Sequence, residues 1–321
     1  MPGETVGTVH VDQLLTNLAI LYRPLEAGLI ADTVCPRVPV KKESDLYAVF
    51  NQGDFYGTEV DDLVADKTEP SEIEFGHTTA GYRAQRRELA WSISDRERSN
   101  ADDQLRLEQT RQEGTLLRLL VKRERRVALI LKKIVAGAPG QLVLGAARAA
   151  VWSTAATTTI ETDIWTGREA IRKAIGIRPN IIVIPEAVAA AMCKNTQLTA
   201  KLQYTYGDSG ARPLLEEYYP VLPPTLFGMR VLIPGVIYNT AKEGATASYS
   251  DIWGDDVRLL YVTSGPDLEN PSVAYSFQSE PLTTRTWRED NKRLDKYAVG
   301  MTVCEQVVAS SAAYEISACI T

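Results

Sequence analysis

One serine and two histidines are the first side chains of this sequence to consider for chemistry. Ser209 lies in the stretch GDSG at residues 207–210, a pattern that surrounds the nucleophile of trypsin-like proteases. That reaction needs a histidine base that a buried carboxylate orients. The only histidines are His10 and His77, and neither lies in a matching sequence context. Because short motifs often match by chance, we interpret residues 207–210 as a polar turn.

A second candidate is the stretch RPNIIVIPEAVAAAM at residues 178–192, which reads as a strand, a turn and a helix. A phosphate-binding turn of this type needs glycines, so that backbone N–H groups at the helix start can reach an anion. Here the turn is Pro185-Glu186. Proline donates no hydrogen bond, and Glu186 brings negative charge to the place of a phosphate. The stretch therefore predicts a scaffold element and no cofactor.

Metal and thiol chemistry find equally little support in the sequence. Paired acids occur at residues 61–62, 102–103 and 255–256, but no histidine or cysteine lies close to them in sequence. Metal sites usually recruit ligands from several elements. Four cysteines lie far apart with no CxxC pair, which favours reduced thiols that act as small apolar residues. We predict no catalytic, metal or cofactor site, and no enzyme activity.

Composition indicates an ordinary globular chain. The chain has 321 residues, of which 45% are hydrophobic and 24% charged, with a net charge of -6. The negative total means that any contact with nucleic acid must be local. No apolar run reaches the roughly 18 residues that a transmembrane helix requires. The N-terminus shows neither a basic start nor a secretory cleavage pattern, so no membrane or secretory address is expected.

An acidic hairpin is the first unusual element. Apolar alternation at LYAVF (46–50), SEIEFGH (71–77) and RELAWSIS (87–94) predicts strands between residues 43 and 94. From Asp45 to Glu74 there are nine acidic residues and one lysine, Lys67. Two-stranded hairpins are marginal alone in water. We therefore expect this hairpin to lie on a neighbouring molecule.

A long basic helix follows the hairpin. The stretch from Ser99, with a Ser-x-x-acid start, to about residue 136 contains no proline and predicts one helix. RLLVKRERR makes a basic band from Arg118 to Arg126, which could face nucleic acid, solvent or an acidic segment. The acidic hairpin of a neighbour is the partner that we favour, because opposite potentials would set the register between molecules. A second helix is expected at 163–176, closed by Gly176.

The order of these elements resembles the Hong Kong 97-type major capsid protein of tailed phages over essentially the whole chain. RPNIIVIPEAVAAAMCKN (178–195) is similar to the axial-domain strand and helix of that family. SYSDIWGDDVRLLYV (248–262) resembles its Ile-Trp-Gly strand region, and DNKRLDKYAVGMTVCEQVVASSAAYEI (290–316) resembles its returning peripheral strand. The order of elements carries more weight than any one motif.

The resemblance implies an α+β fold with four parts. These are an N-terminal arm at 1–42, an extended loop at 43–90, a peripheral domain at 91–176 and 271–308 with a spine helix at 99–136, and an axial domain at 177–270 and 309–321. The loop would overlap a neighbouring subunit, and the tip at 204–224 would surround the centres of pentamers and hexamers. A separate scaffolding protein, or none, is expected, because structure-like sequence begins within about a dozen residues of Met1.

Three sets of site residues follow from the charge pattern and the resemblance. The loop would contact a neighbour through Asp54, Glu59, Asp61, Asp62, Asp66, Lys67, Glu69 and Glu72. The basic band would do so through Arg118, Lys122, Arg123, Arg125 and Arg126. The capsomer-centre loop would present Tyr206, Asp208 and Arg212. Lys67 is the only lysine of the loop, and we expect it to be solvated or salt-bridged in a shell without crosslinks.

The functional hypothesis is a structural protein that assembles into an icosahedral head enclosing phage double-stranded DNA. DNA contacts would be non-specific, with a scaffolding protein, a portal and a decoration protein as further partners. The protein would reside in the virion after assembly in the bacterial cytoplasm. Two alternatives stay open: an encapsulin-type shell around protein cargo, and an α/β hydrolytic enzyme with Ser209 as nucleophile.

Overall fold

The computed structural model describes residues 10–11, 28–50, 56–58, 62–64, 66–73, 76–100, 107–132, 142, 144–154, 159–196, 198, 200, 222–242, 244–265 and 272–320. Its helices are α1 (Ala31–Val34), α2 (Asp95–Asn100), α3 (Leu107–Ile130), α4 (Ile160–Ile175) and α5 (Glu186–Cys193). Its strands are β1 (His10–Val11), β2 (Arg37–Pro39), β3 (Ser44–Phe50), β4 (His77–Arg83), β5 (Gln85–Ser94), β6 (Leu144–Ala147), β7 (Ile181–Val183), β8 (Thr225–Leu226), β9 (Met229–Leu232), β10 (Ile237–Asn239), β11 (Tyr249–Asp251), β12 (Val257–Leu260), β13 (Ala274–Glu289), β14 (Leu294–Val307) and β15 (Ala313–Ser317). The mixture of helices and two larger sheets agrees with the α+β prediction.

A five-stranded sheet is built on the long antiparallel pair β13 and β14. Its order is β1-β13-β14-β5, with β2 added in parallel beside β13. The helix α3 lies on this sheet because its apolar positions Leu116 and Leu119 pack against Leu282, Val299 and Met301. Burial of this stripe fixes the helix to the sheet, as expected for an amphipathic helix.

The long spine helix begins and ends at other residues than the sequence suggested. Ser99 lies inside α2, so the predicted helix start at Ser99 is wrong. The observed capping box is five residues earlier: the backbone N–H of Glu97 donates to Ser94 Oγ at 3.2 Å, and Ser94 N–H donates to Glu97 Oε2 at 3.1 Å. The helix α3 ends at Ile130, not at residue 136. Residues 101–106 and 133–141 lie outside the described residues.

A six-stranded sheet in the order β6-β15-β12-β7-β9-β8 forms the second layer. The helix α4 covers it with Ile160, Ile164, Ile171 and Ile175, all buried. Gly167 permits the close approach, since a Cβ there would lie 2.8 Å from Tyr314 Cδ1. Strand β6 and helix α4 thus belong to the six-stranded layer, although the predicted peripheral domain included residues up to 176. Helix termination at Gly176, with φ 72°, is as predicted.

The strand-turn-helix unit is confirmed as a buried part of this second layer. All of β7 is buried between β12 and β9. The helix α5 starts directly after Pro185, whose carbonyl accepts a 2.9 Å hydrogen bond from Ala189 N–H. Val188 and Met192 of α5 are fully buried in the main core. The apolar β-branched run therefore serves packing.

The acidic hairpin has a different second strand from the one expected. Strand β3 pairs with β4 from Ser44 opposite Arg83 to Phe50 opposite His77. Residues 71–73 are exposed and form no strand, so the predicted strand at 71–77 is wrong. Aromatic packing accounts for the register, because Tyr82 stacks on Phe277 with ring centroids 4.5 Å apart. The predicted strand at 87–94 is confirmed within β5.

Glu124 of α3 joins the two layers. Its buried carboxylate accepts hydrogen bonds from the backbone N–H groups of Ile30 at 3.2 Å and Ala31 at 2.9 Å. Trp253, which precedes β12, donates a third from its indole N–H at 2.8 Å. Since a buried charge is tolerated only where donors satisfy it, this carboxylate requires the N-terminal segment and the Trp253 loop to meet at α3.

Arg258 of β12 completes the junction from the other side. Its Nε–H donates to the carbonyl of Leu131, just beyond the end of α3, at 2.9 Å. The guanidinium is buried and lies near the carboxylates of Asp256 at 3.5 Å and Glu315 at 3.6 Å. It also lies 5.3 Å from the ring centroid of Trp253. The arginine thus links the spine helix to two strands of the second sheet.

Two of the crossings of the chain between the two sheets lie side by side. Leaving β12, Tyr261 N–H donates to Ala312 O at 2.9 Å, and Val273 N–H donates to Tyr261 O at 3.0 Å. Leaving β14, Val308 N–H donates to Val273 O at 2.9 Å. The outgoing and returning segments are therefore bonded to each other through their backbones.

Replacing Trp253 by phenylalanine should weaken this junction. The change removes the indole N–H and leaves Glu124 one donor short, which costs about 1–3 kcal/mol of unfolding free energy. Urea denaturation followed by circular dichroism measures the loss. Trp165→Phe serves as the matched control, because Trp165 is 52% exposed and should change stability by less than about 0.5 kcal/mol. Equal effects of the two substitutions would contradict the role of Trp253.

The ionisation of Glu124 should appear in the pH dependence of stability. Burial raises the pKa of this carboxyl above its ordinary value of 4.5, and the three hydrogen bonds offset only part of that effect. The folded chain therefore retains a proton that the unfolded chain has released. The stabilising contribution is complete below the ordinary pKa and is lost as pH rises through the raised value.

The experiment compares the unfolding free energies of wild type and Glu124→Gln between about pH 4 and pH 8. Glutamine cannot ionise at this position. The stability of wild type relative to the variant should therefore decrease as pH rises. A difference that stays constant or increases with pH would show that Glu124 has no raised pKa.

Candidate subunit-contact surfaces

The described residues between positions 56 and 73 of the extended loop are all exposed. Among the residues predicted to contact a neighbour, the structure places the following on this exposed surface: Asp62, Asp66, Lys67, Glu69 and Glu72. The other three, Asp54, Glu59 and Asp61, lie outside the described residues. The carboxylates of Asp62, Asp66, Glu69 and Glu72 form no ion pair within the described residues, so their charges are left for solvent or for another molecule.

Apolar side chains accompany these charges on the loop. Leu63 is 83% exposed, and Val64 and Ile73 are also exposed. Single exposed apolar residues are common on protein surfaces, but grouped ones mark contact surfaces. The loop therefore presents both negative charge and apolar surface that the described residues of its own chain do not cover.

Tyr56 near the loop tip touches the body of its own chain. The phenol of Tyr56 lies directly against Gly176, the residue that ends α4, where any Cβ would collide with it. Tyr56 itself remains exposed. This contact is with α4, and not with the spine helix that the sequence had led us to consider.

The basic band of the spine helix divides into two parts. Arg118, Lys122 and Arg125 are exposed and recur at four- and three-residue spacing, so they form one stripe on the outer face of α3. The guanidinium of Arg125 lies 4.6 Å from the ring centroid of Tyr238 in β10. These three cations remain candidates for contact with another molecule.

Arg123 is buried, so its assignment to a surface contact is wrong, and the partly exposed Arg126 also pairs within its own chain. Arg123 is 1% exposed and pairs with Asp32 of α1. Arg126 binds Glu305 of β14 through two hydrogen bonds, of 3.0 and 2.6 Å. Burial alone would raise the pKa of Asp32, but the charges of Arg123 and Arg37 outweigh it and lower that pKa. Two of the five cations of the band therefore hold the subunit together.

A second basic surface was missed in the sequence. Trp165, Arg168, Glu169, Arg172, Lys173 and Arg178 lie on and just after α4, and we call this set the α4 face. Four of its five charged side chains are positive, and the tryptophan is half-exposed. The signal was visible as GREAIRKAIGIR, but the sequence reasoning treated this stretch only as a helix. The exposure of the α4 face could not be predicted from the sequence alone.

The remaining predicted positions carry no site within the described residues. Tyr206, Asp208, Arg212 and Ser209 lie outside them. Burial raises the pKa of all four cysteine thiols, to about 12 for Cys35 and Cys319, which leaves them unreactive. The part of the chain that the structure describes holds no group of three potential metal ligands. No described helix combines the length and apolar character that crossing a membrane requires.

Comparison with known proteins identifies relatives by sequence. No family model matches the chain. The major capsid protein of Pseudomonas phage JBD67 is 26% identical over 269 residues, which cover 81% of this chain and 80% of the relative. The major capsid protein of Burkholderia phage BcepMu is 28% identical over 258 residues, which cover 78% and 76%.

Comparison with solved structures identifies the fold. A phage-related protein from Bordetella bronchiseptica RB50 superposes with a TM-score of 0.65 at 22% identity and covers 96% of this chain and 97% of its own. The capsid protein of cyanophage P-SCSP1u superposes with a TM-score of 0.61 at 14% identity and covers 92% and 89%. The predicted Hong Kong 97-type fold is confirmed.

The two halves of the basic band should respond differently to charge reversal. Arg123→Glu places a carboxylate beside Asp32 and Glu305 in a buried site, and should cost about 3–5 kcal/mol of unfolding free energy. Arg118→Glu with Lys122→Glu reverses two exposed charges and should change that energy by less than about 1 kcal/mol. Denaturation of the unassembled subunits tests both. A stable Arg123→Glu subunit would contradict the inward role.

Proposed function

We propose that this chain, which has the Hong Kong 97-type fold and curated relatives named major capsid protein, is the major capsid protein of a tailed phage. Many copies assemble into the icosahedral shell through pentamers and hexamers. The observation that carries this function is the match to two phage major capsid proteins over about four fifths of the chain, together with the shared fold. The role is structural and needs no catalytic site.

The exposed loop supports an assembly role. A hairpin that exposes acids and large apolar side chains has too little cover to be stable by itself. In a shell, each loop would lie on an adjoining subunit, so that its charged and apolar residues become covered. The residues that we assign to this contact are Asp54, Glu59, Asp61, Asp62, Asp66, Lys67, Glu69 and Glu72.

Two further surfaces belong to the proposal. The exposed stripe of Arg118, Lys122 and Arg125 is a contact surface for other subunits, and complementary charge would set its register. The segment 204–224, with Tyr206, Asp208 and Arg212, would surround the centres of pentamers and hexamers. Support for this second assignment comes from the order of elements in the chain.

Partners beyond the subunit itself follow from the same role. The shell would enclose double-stranded DNA and contact it through phosphates without reading its sequence. Further partners would be a portal, a separate scaffolding protein if the shell uses one, and a decoration protein if one binds. The protein would be found in the virion after assembly in the bacterial cytoplasm.

Two alternative functions can be separated from this one. An encapsulin-type shell is not favoured, because the curated relatives are phage major capsid proteins. A gene neighbourhood with terminase and portal genes supports the phage head, whereas a ferritin-like or peroxidase cargo gene supports the other shell. A hydrolytic enzyme would be labelled at Ser209 by an active-site serine reagent, and we expect no labelling.

Removing the loop tests the proposal. Wild-type protein should form closed shells of uniform diameter in negative-stain electron microscopy. Deletion of residues 51–72 should leave a soluble subunit, because the described core residues lie outside this segment. The variant should form no closed shells. Normal particles from the deletion variant would contradict the role of the loop, and the absence of shells from wild type would contradict the function.

A further inference from the structure

The α4 face combines an exposed aromatic ring with a cluster of cations. The guanidinium of Arg168 lies 4.6 Å from the ring centroid of Trp165, a cation–π contact. Tryptophan and arginine are the residue types most enriched among those that dominate binding energy at protein interfaces. Their pairing on an exposed helix surface is therefore typical of a docking site.

Two arginines of this face lack a carboxylate partner in the described part of the chain. Arg168 and Arg178 make no ion pair there, and Arg168 Nε is buried without a hydrogen-bond partner. Burial and then the charge of Arg178 lower the pKa of Arg168, which shows that the two cations repel each other. The nearby carboxylate of Glu169 is already engaged by Arg172 at 2.9 Å. An acidic group from outside would relieve this repulsion.

The loop offers the complementary chemistry. Asp62, Asp66, Glu69 and Glu72 are exposed and make no ion pair within the described residues, while Leu63 and Ile73 expose apolar surface. Carboxylates suit Arg168 and Arg178, and an apolar side chain suits the ring of Trp165. The two surfaces therefore match in both charge and hydrophobic character.

Among the described residues, the chain's own loop reaches the α4 face through Tyr56. The chain's own loop touches the end of α4 through Tyr56 at Gly176, two residues before Arg178, but none of its described carboxylates pairs with the arginines. An aromatic residue of this loop is thus accommodated beside the α4 face. The unmatched charges on both sides point to pairing between two molecules.

We propose that the acidic loop of a second copy docks on the α4 face, with its carboxylates against Arg168 and Arg178 and an apolar residue against Trp165. The inference rests on the proposed shell function and names the surface that receives the loop. Nucleic acid fits this surface less well, because Glu169 would face the phosphates. The α4 face receives the loop in addition to whatever the spine stripe contacts.

Charge exchange tests the pairing. Arg168→Glu with Arg178→Glu should reduce the yield of closed shells at least tenfold, from repulsion between the reversed face and the loop. Adding Asp66→Lys with Glu69→Lys on the loop should restore the yield to within about threefold of wild type, an energy of roughly 0.7 kcal/mol. Arg118→Glu with Lys122→Glu reverses two cations on the spine stripe, and the loop lysines should not restore any shell yield that this variant loses. Denaturation curves of each subunit establish that the variants fold.

Crosslinking of isotope-labelled subunits distinguishes a loop contact within one chain from a contact between two copies. Carbodiimide couples lysine amines to nearby carboxylates, and Lys173 lies at the centre of the α4 face. Shells assembled from equal amounts of ¹⁴N- and ¹⁵N-labelled wild-type subunits should yield peptides that join Lys173 to a loop carboxylate. Mixed isotopes in about half of these peptides indicate contact between copies. Peptides with uniform isotopes show that the loop occupies its own α4 face.

Several outcomes would overturn the inference. Normal shells from the Arg168→Glu, Arg178→Glu variant would do so, as would a loss of shells that the loop lysines do not restore. So would loop lysines that restore shells only to the Arg118→Glu, Lys122→Glu variant, or crosslinks that form only within one chain. Normal empty shells that fail to retain DNA would assign the face to phosphates. If wild type forms shells and these tests fail, only the loop assignment falls. If wild type forms none, the shell function falls with it.

Discussion

A buried carboxylate has to find donors, and in this molecule Glu124 finds them in two segments that are far apart in the sequence. The backbone before and at α1 supplies two hydrogen bonds, and the Trp253 loop supplies the third. Arg258 then connects the same tryptophan loop to the carbonyl of Leu131, just beyond the end of the spine helix. The buried side chains of Glu124 and Arg258 need partners from several segments at once. These partners are present together only when the five-stranded and six-stranded layers are arranged as observed.

The same requirement divides the charged residues into internal and external sets. Arg123 and Arg126 turn inward to Asp32 and Glu305, so they hold α1, α3 and β14 together. Among the exposed charges, groups of cations lie on the spine stripe and on the α4 face, and a group of acids lies on the loop. Separate surface patches of opposite charge are suited to contacts between copies of the subunit.

Much of this architecture could be predicted from the sequence, and the errors have local causes. The strand β7 was identified because its hydrophobic pattern predicts a buried strand, and the end of α4 because a glycine after the last helical residue predicts a helix terminus. The second strand of the hairpin was misplaced, since Tyr82 stacks on Phe277, almost two hundred residues away, and alternation alone cannot reveal such a partner. Arg123 was assigned to the surface for a similar reason: a basic run shows charge, while burial depends on tertiary partners such as Glu305. The α4 face was overlooked because exposure of Trp165 is a property of the folded chain.

The two backbone crossings between the sheets have a mechanical consequence. Residues 261, 273, 308 and 312 bond to one another where the chain leaves one layer and returns to it. A hinge between domains normally relies on one or two unbonded connections that can absorb torsion. Here torsion of one of these crossings would strain the other, so the hydrogen bonds between them oppose rotation of one layer against the other. In the proposed shell, adaptation to the different curvature at five-fold and six-fold positions would then come from segments outside these crossings and from the angles at which subunits meet.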